Sequence, residues 1–422
     1  MRILILGINY FPERTSVAPF TTGLGEHLAS EGHAVQMVTA FPYYPEWKIW
    51  EEYRGRITQK EERRGVEIRR VRHYIPGRAS SLVERLLHDF SFTAAALIAG
   101  LGASACDVVY CSCPPPALAL AAYILSRIKN VPYVIKLTDL ASDAALATGI
   151  LREGFLLRSA RALEKMAYGR AEAIVCLCES FREKLMQIGI PADRLHVIPD
   201  WGDTESIHPG PSDGTFRAAH RIGREKFVVI HTGNMGKKQT LHNMVEAAAL
   251  TRNDSSLLWV IVGEGEERAA VAREITARKL DNLLLLPLQP VESLCQVYAA
   301  ADLLLLNQKA AVKDSVIPCK LLTYMASGQP VLAAANSNSV ASRLVREARC
   351  GTVVESENPM ALVEGVRVLR ENPTLRAEMG VNGRVYAERN FSKARVLDLY
   401  DQFFESLLEP QPFFAGAADS AD

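Results

Sequence analysis

Apolar residues follow two different periods along this chain. Short runs rich in Val, Ile and Leu suit buried parallel strands, and the stretches between them repeat apolar residues at helical spacing. In the first half this pattern predicts strands at residues 2–6, 34–39, 107–111, 132–137, 173–177 and 195–199. Helices are predicted at about 19–30, 82–101, 116–129, 151–169 and 180–188. Such alternation of strands and helices predicts a doubly wound parallel sheet.

The pattern is interrupted once and then starts again. Residues 200–214 are rich in glycine, proline and acid, which favours a domain boundary. Further strands are predicted at 227–231, 257–262, 282–286, 302–306, 330–334 and 351–354. We therefore predict an α/β protein with two Rossmann-like domains, 1–200 and 201–395, facing a central cleft. A terminal helix at 396–408 is expected to pack back on the first domain, and 409–422 is expected to be a disordered tail.

The stretch 227–250 places a glycine loop between a predicted strand and a predicted helix. The loop reads Gly233-Asn234-Met235-Gly236-Lys237-Lys238. Glycines allow a close approach of the backbone to a ligand, and a helix N-terminus and two lysines favour an anion. This combination predicts a phosphate site. The alternative is an ordinary turn whose lysines are solvated.

Composition limits the classes of function. Of 422 residues, 48% are hydrophobic and 23% charged, and 48 basic side chains balance 48 acidic ones. Zero net charge argues against wholesale nucleic-acid binding, and the arginines of 63–72 are interpreted as a solvated strand edge. Eight cysteines occur without a Cys-x-x-Cys pair, so neither a zinc site nor a disulfide framework is predicted. The first strand begins at the N-terminus without a signal sequence, and we expect a cytoplasmic location.

Two apolar segments have more than one interpretation. The aromatic loop 41–47 is either packed on itself, which we favour, or offers stacking faces to a sugar or lipid-linked acceptor. The segment 82–101 is predicted to be a buried helix, because its uninterrupted apolar part is too short to span a bilayer. The alternative is that its basic flank rests on an anionic membrane surface.

Five motifs in the second half resemble a known family. They are TGNMGKKQ at 232–239, IVGEGEER at 261–268, PLQPVESL at 287–294, AADLLLL at 300–306 and IPCKLLTYMASGQPVL at 317–332. Their order and spacing are similar to those of the retaining glycosyltransferases of family 4, which have the GT-B fold. At the N-terminus, GINYFPERTS at 7–16 and TAFPYYPEW at 39–47 look most like the branch that contains a colanic acid biosynthesis glycosyltransferase.

The resemblance implies transfer of a sugar from a nucleoside diphosphate donor with retained configuration. It implies that Lys238, with the helix that follows it, holds the diphosphate and takes part in catalysis, and that Lys320 is a second phosphate contact. A departing diphosphate develops negative charge that preorganised cations and N–H groups stabilise, so no metal and no bound cofactor are expected. It also implies loop support by Asn234 and contact of the backbone near Leu288 and Gln289 with the base. The remaining donor-site residues implied in this way are Gly236, Gly263 and Thr323.

The sequence departs from the family pattern at two places. The usual glutamates, eight residues apart, are replaced by Ser315 and Thr323, and a hydroxyl cannot accept two hydrogen bonds from a ribose diol as a carboxylate does. Asp314 is a candidate substitute. The glycines that are usual in the first loop are also absent, because residues 16–18 read Ser-Val-Ala.

Asp139 is the candidate catalytic residue of the first domain. It follows a predicted strand and should face the cleft, where a carboxylate could orient the acceptor hydroxyl or take its proton. The alternative role is to cap the following turn.

We therefore expect a retaining glycosyltransferase that acts on a lipid-linked polysaccharide acceptor, with possible contact to the inner face of the cytoplasmic membrane and no nucleic-acid partner. Two alternatives remain open. One is a catalytically silent GT-B subunit that binds or scaffolds, which the missing glutamates favour. The other is a nucleotide-sugar epimerase of the same fold, which would convert the donor without an acceptor.

Overall fold

Two separate parallel sheets organise the chain. The computed structural model describes residues 1–14, 16–77, 82–138, 154–210, 214–312 and 317–407. The predicted tail at 409–422 and the candidate Asp139 lie outside these residues. The strands of the first sheet are β1 (Arg2–Gly7), β2 (Ala34–Ala40), β3 (Thr58–Arg63), β4 (Val66–Val71), β5 (Val108–Cys113), β6 (Tyr133–Leu137), β7 (Ala173–Cys176) and β8 (Leu195–Val197). The strands of the second sheet are β9 (Phe227–Asn234), β10 (Leu257–Glu264), β11 (Leu283–Leu286), β12 (Leu303–Asn307), β13 (Val331–Ala334) and β14 (Gly351–Val354).

The helices lie between these strands in the chain. The described helices of the first half are α1 (Ala18–Ser30), α2 (Leu82–Leu101), α3 (Leu118–Lys129), α4 (Phe155–Tyr168) and α5 (Glu179–Gln187). Those of the second half are α6 (Thr215–Ala219), α7 (Leu241–Leu250), α8 (Arg268–Arg278), α9 (Leu294–Ala299), α10 (Cys319–Ala326), α11 (Val340–Glu347), α12 (Pro359–Glu371), α13 (Pro373–Phe391) and α14 (Lys393–Ser406).

The strand orders confirm the prediction of two doubly wound sheets. The first sheet has the order β3-β4-β2-β1-β5-β6-β7-β8, and only the pair β3 and β4 is antiparallel. The second has the order β11-β10-β9-β12-β13-β14, and all of its pairs are parallel. In both sheets the order reverses beside the first strand, at β1/β5 and at β9/β12. Ligands of such sheets bind outside the carboxyl ends of the strands at this switch point.

Alternation along the strands divides the core of each domain into two layers. In β1, Leu4 and Leu6 join a cluster with Phe92 of α2, whereas Ile3 and Ile5 face a second cluster on the opposite side of the sheet. Since neighbouring side chains of a strand point to opposite faces, a strand buried on both faces must be apolar throughout. The second sheet is covered in the same way by two clusters.

The last helix returns to the first domain. Tyr400 and Phe404 of α14 are buried in the cluster that contains Ile3 and Tyr110, and the Tyr110 hydroxyl donates to the Tyr400 hydroxyl at 3.2 Å. Residues near 200 mark the crossing between the sheets, where Trp201 packs edge-on against Phe20 of α1 at 5.0 Å between ring centroids.

The structure corrects the interpretation of the basic segment 63–72 at Arg70, whereas Arg64 and Arg72 are exposed as expected. This segment belongs to a hairpin of β3 and β4, and Arg70 is 1% exposed rather than solvated. Its guanidinium pairs with Glu61 and donates to the backbone oxygens of Ala40 and Phe11. Arg70 therefore ties the hairpin to the loops that follow β1 and β2.

The aromatic loop confirms the packing interpretation at its centre. Phe41 and Tyr43 are buried, and the Tyr43 ring contacts the rings of Trp47, His73 and His88 at 5.1 to 5.7 Å between centroids. The Tyr43 hydroxyl donates to Nε2 of His88, whose Nδ1 donates to the backbone oxygen of Tyr74.

The prediction of a buried helix at 82–101 is wrong for one face of α2. Phe92 and Ala96 are fully buried, but a second face is exposed and contains only apolar side chains. The exposed residues lie three or four positions apart, which is one stripe of a helix. The apolar face of α2 consists of Val83, Leu86, Leu87, Phe90, Ala94, Ile98 and Leu101. Within the described ranges no helix combines the length and the apolar character needed to cross a bilayer.

Candidate active site

The strands β9 and β12 separate at the switch point of the second sheet. Their pairing stops at Ile230 and Leu304, although β9 continues to Asn234. Beyond this point the Tyr324 hydroxyl of α10 accepts from the backbone N–H of Thr232 at 2.9 Å. His231, which is fully buried, donates from Nδ1 to the backbone oxygen of Leu305 at 3.0 Å. These side chains supply the hydrogen bonds that the ladder no longer makes, and they hold α10 against the opening.

Lys320 lies one helical turn before Tyr324 and therefore on the same face of α10. Its Nζ donates to Oε1 of Gln239 at 2.8 Å and lies 3.3 Å from Nε2 of His231. Because Nδ1 of His231 carries the proton, Nε2 is free to accept. Burial lowers the pKa of Lys320 to about 7, and burial and the Lys320 charge lower the pKa of His231. Among the described residues, the hydrogen-bond partners of this ammonium group are His231 and Gln239, both neutral, and an anion would stabilise its charge.

Glycines bring the ends of β9 and β10 together beside this lysine. Gly263 pairs with Gly233, and a Cβ on Gly263 would lie 2.0 Å from the Gly233 oxygen. Gly233 has φ +102°, and a Cβ there would be 3.9 Å from Nζ of Lys320. The loop after β9 is also joined to the loop after β10, because the N–H of Met235 donates to the Glu264 oxygen at 2.8 Å.

Asn234 and Gly236 lie in the same loop. A Cβ on Gly236 would be 3.2 Å from Nδ2 of Asn234, and a Cβ on Gly265 would be 2.8 Å from its Oδ1. Two glycines therefore leave room for the amide of Asn234. This geometry agrees with loop support, the role that the family resemblance implies for Asn234, and its contact with a donor stays a prediction.

Lys238 lies on a short 3-10 turn at Lys237–Gln239 with an exposed side chain. The turn separates the glycine loop from α7, which begins after Thr240 in a left-handed conformation (φ 44°). The sequence pattern implies that the loop leads directly into the helix. In the structure the 3-10 turn and Thr240 lie between them. Gln239 of this turn contacts Lys320, so the turn that carries Lys238 lies beside the Lys320 side chain.

The predicted base contacts lie beyond β11. Leu288 is 54% exposed, and Nε2 of Gln289 donates to the Pro287 oxygen at 3.0 Å. Arg268 fixes this region, because its Nη1 donates to the oxygens of Gly263 and Leu286 at 2.7 and 2.9 Å. A guanidinium thus joins the carboxyl ends of β10 and β11.

Thr323 lies on α10 with its side chain half-buried. Its hydroxyl donates to the Cys319 oxygen of the same helix at 3.1 Å, so only its lone pairs remain for a donor. The other residues of this departure, Asp314 and Ser315, lie outside the described residues, as does Asp139.

The sequence pattern did not identify Glu13, which organises the opposite side of the cleft. This carboxylate is 4% exposed and accepts from Nδ2 of Asn9 and from the backbone N–H groups of Tyr43 and Tyr44 at 2.7 to 2.9 Å. Burial raises the pKa of Glu13, and the hydrogen bonds from Tyr43, Tyr44 and Asn9 lower it in part. Nearby, Ser16 has φ +59° where the family has glycine, so the loop keeps a glycine-like backbone.

A buried ion pair marks the place where the two domains meet. Nζ of Lys136, at the end of β6, lies 2.5 Å from Oδ1 of Asp200, and the two side chains are 5% and 10% exposed. Both charges act on the pKa of Cys319 at the start of α10: Asp200 raises it and Lys136 lowers it. The donor-side helix and the carboxyl edge of the first sheet are therefore neighbours.

No group of side chains suited to a metal ion occurs among the described residues. All eight cysteines are free thiols, including Cys111 and Cys113, whose Sγ atoms lie 3.7 Å apart on one face of β5.

Comparisons with known proteins identify the class. A family model described as "Glycosyl transferase 4-like domain" matches residues 15–201, and one described as "Glycosyl transferases group 1" matches residues 212–386. Sucrose-phosphate synthase from Thermosynechococcus elongatus has a similar structure, with a TM-score of 0.75, 16% identity, and 96% of this chain and 98% of that chain covered. Anabaena Alr3699/HepE in complex with UDP-glucose gives a TM-score of 0.71, 17% identity, and 96% and 100% coverage. The fold is GT-B, and the class of protein is the glycosyltransferases.

A relative of known name lies within this class. The putative colanic acid biosynthesis glycosyl transferase WcaI of Escherichia coli is 29% identical over 405 residues, which are 94% of this chain and 98% of the relative. The chain belongs to glycosyltransferase family 4, in the branch that includes this relative.

Proposed function

We propose that this protein transfers a sugar, with retained configuration, from a nucleoside diphosphate donor to a lipid-linked polysaccharide acceptor. The observation that carries the proposal is Lys320, a partly buried cation held at the switch point of the second sheet by neutral His231 and Gln239. A diphosphate placed over Gly233 would remove the cost of that charge. The complexes of Anabaena Alr3699/HepE with UDP and with UDP-glucose support a donor of this chemistry.

The chemistry needs little beyond positioning and charge. The bond between the sugar and the diphosphate breaks, and the leaving oxygen gains negative charge that Lys320 and Lys238 stabilise. Neither group needs a metal ion for this role. We assign to Asp139 the orientation of the acceptor hydroxyl or the removal of its proton.

The acceptor side of the proposal is supported by the apolar face of α2. Helices with an exposed apolar stripe bind at the surface of a bilayer without crossing it. A membrane-anchored acceptor would bring the protein to the cytoplasmic membrane, and the name of the Escherichia coli relative supports a polysaccharide product.

A silent binding subunit remains the rival, and the arrangement of Thr323 favours it, because this hydroxyl already donates within its helix. A panel of nucleotide sugars separates the two functions. We expect one donor to raise the melting temperature and to be hydrolysed slowly without an acceptor. Binding without any turnover would favour the silent subunit.

A further inference from the structure

A pocket of about 540 Å³ lies in the first domain, outside the donor site. It is formed by the loop that follows β2 and by the segment that follows β4. Since β2 and β4 are parallel neighbours, the pocket opens at the carboxyl edge of the sheet, which also faces the cleft. Its polar and aromatic lining consists of Trp47, Lys48, Arg54, Arg72, His73 and Tyr74.

His73 is a buried polar side chain in this lining that has no hydrogen-bond partner. It is 7% exposed, and neither ring nitrogen is bonded within the part of the chain that the structure describes. Its ring neighbours are Tyr43, His88 and Phe92. Burial and the neighbouring His88 lower the pKa of His73 to about 3, so the ring is neutral with one N–H to donate. An unsatisfied buried donor destabilises the folded protein, and a ligand acceptor would remove that cost.

The charges in the lining are all positive. Lys48 and Arg72 are exposed, and neither side chain contacts a carboxylate within the described ranges. Arg54 is 53% exposed and pairs with Glu51. One further acid, Glu84, lies at the rim beside Gly77. In a chain of zero net charge, this group of cations favours an anionic ligand.

The pocket is bonded directly to the helix with the apolar face. The backbone N–H of Tyr74 donates to Oγ of Ser91 at 2.9 Å, and Nδ1 of His88 donates to the Tyr74 oxygen at 2.9 Å. Leu87 and Phe90 of the apolar face of α2 lie next to these contacts in the helix. An anion pocket beside an exposed apolar stripe matches a ligand with a phosphate on a hydrocarbon chain.

We propose that this pocket binds the phosphate that joins the acceptor sugar to its lipid, while the lipid lies along the apolar face of α2. The inference rests on the proposed function, because it assumes a lipid-linked acceptor. Arg72 and Lys48 neutralise the phosphate, and the N–H of His73 donates to one of its oxygens.

The test is binding of the full chain to vesicles of equal surface charge that contain either phosphatidylglycerol, a phosphodiester like the proposed ligand, or oleic acid, an anion without a phosphate. Arg72→Gln should weaken binding to phosphatidylglycerol vesicles about tenfold and binding to oleic acid vesicles less than about twofold. Arg127→Gln is the matched control, because this arginine is exposed on α3 and lies outside the pocket. Equal losses for both variants would reduce the effect to surface charge and overturn the proposal.

His73→Phe gives a second, independent readout. Phenylalanine fits among the rings around His73 and removes the unsatisfied N–H, so the melting temperature should rise while affinity for phosphatidylglycerol vesicles falls about five- to tenfold. A more stable variant with unchanged affinity would show that His73 does not face the ligand.

Two further measurements separate the possible failures. Inorganic phosphate that raises the melting temperature of the protein as much as phosphatidylglycerol vesicles do would assign the pocket to a free ion and overturn the lipid proposal. Donor hydrolysis, measured on the same samples, should be unchanged in the control Arg127→Gln. Absence of hydrolysis in the wild type would instead contradict the proposed function.

Discussion

Lys320 combines a cationic side chain with surroundings that disfavour its charge. Its pKa of about 7 lies below the ordinary value of 10.5. Between these two values the unfolded chain binds more protons than the folded one, so this group lowers stability as the pH falls from 10.5 to 7 and has a constant effect below 7. A bound diphosphate should raise the pKa again, because an opposite charge favours the ammonium.

Donor binding should therefore be coupled to proton uptake. Above pH 7 we expect the Kd for a nucleoside diphosphate to rise about tenfold per pH unit, since each molecule bound requires protonation of Lys320. Lys320→Arg, which stays charged, should remove this dependence. Calorimetry at several pH values measures it, and a slope that is identical in both proteins would contradict the role of Lys320.

Lys238 is the second cation of the site. Lys238→Ala should lower transfer by about a hundredfold or more, because a charge-assisted contact that strengthens in the transition state contributes about 2 to 4 kcal/mol. Lys237→Ala is the matched control, since Lys237 is also exposed but pairs with Glu266 at 2.8 Å. Steady-state transfer rates of the two folded variants test this prediction. Equal losses in both variants would place the diphosphate elsewhere.

At the scale of elements, the close approach of the neighbouring strands β9 and β10 depends on glycine. Gly263→Ala would place a Cβ 2.0 Å from the Gly233 oxygen, and relief of such a contact requires the strands to move apart. Overpacking of this kind costs about 1 to 3 kcal/mol. Donor affinity should fall as well, because Gly233 adjoins Lys320.

Gly210→Ala is the control for this change, because a Cβ at Gly210 meets nothing within 4 Å. Denaturant unfolding of both variants, with donor affinity measured beside it, tests the claim. A Gly263→Ala protein as stable as Gly210→Ala would show that the strands do not need this close approach.

The elements themselves could largely be predicted from the sequence. The strand at 351–354 and the helix at 82–101 have the predicted bounds, because the spacing of apolar residues and the glycines and prolines between elements specify them locally. The exposed face of α2 could not be predicted, since every residue on it is apolar and only the tertiary structure decides which face is covered. The same holds for Arg70, which looks like a surface residue until β3 folds over it.

Only part of the site could be predicted from the sequence, because the other residues depend on tertiary contacts. Family motifs led to Lys238, Lys320 and the glycines. His231 lies inside an apolar strand and resembles a core residue, and its bond to Lys320 arises only where β9 and β12 diverge. Glu13 likewise has no local signal, because its partners Tyr43 and Tyr44 lie thirty positions away.

At the scale of the whole molecule, the pair Lys136 and Asp200 joins the first sheet to the segment that crosses between the domains. Lys136→Met should destabilise the protein by about 3 to 5 kcal/mol, because it leaves Asp200 buried without a partner. Arg2→Met is the control, because the pair Arg2 and Asp107 is 53% and 38% exposed and should contribute much less to stability than the buried pair. Chemical denaturation gives both values, and similar losses would argue against a structural role for the buried pair.

The proposed transfer is tested most directly by the anomeric proton of the sugar, followed by NMR during a reaction with nucleotide sugar and lipid-linked acceptor. We predict that the donor signal decays and that a product signal with the same anomeric configuration replaces it only when the acceptor is present. A donor that stays intact would identify a binding subunit, and conversion of the donor into an isomeric nucleotide sugar without acceptor would identify an epimerase. A product of inverted configuration would contradict the retaining mechanism.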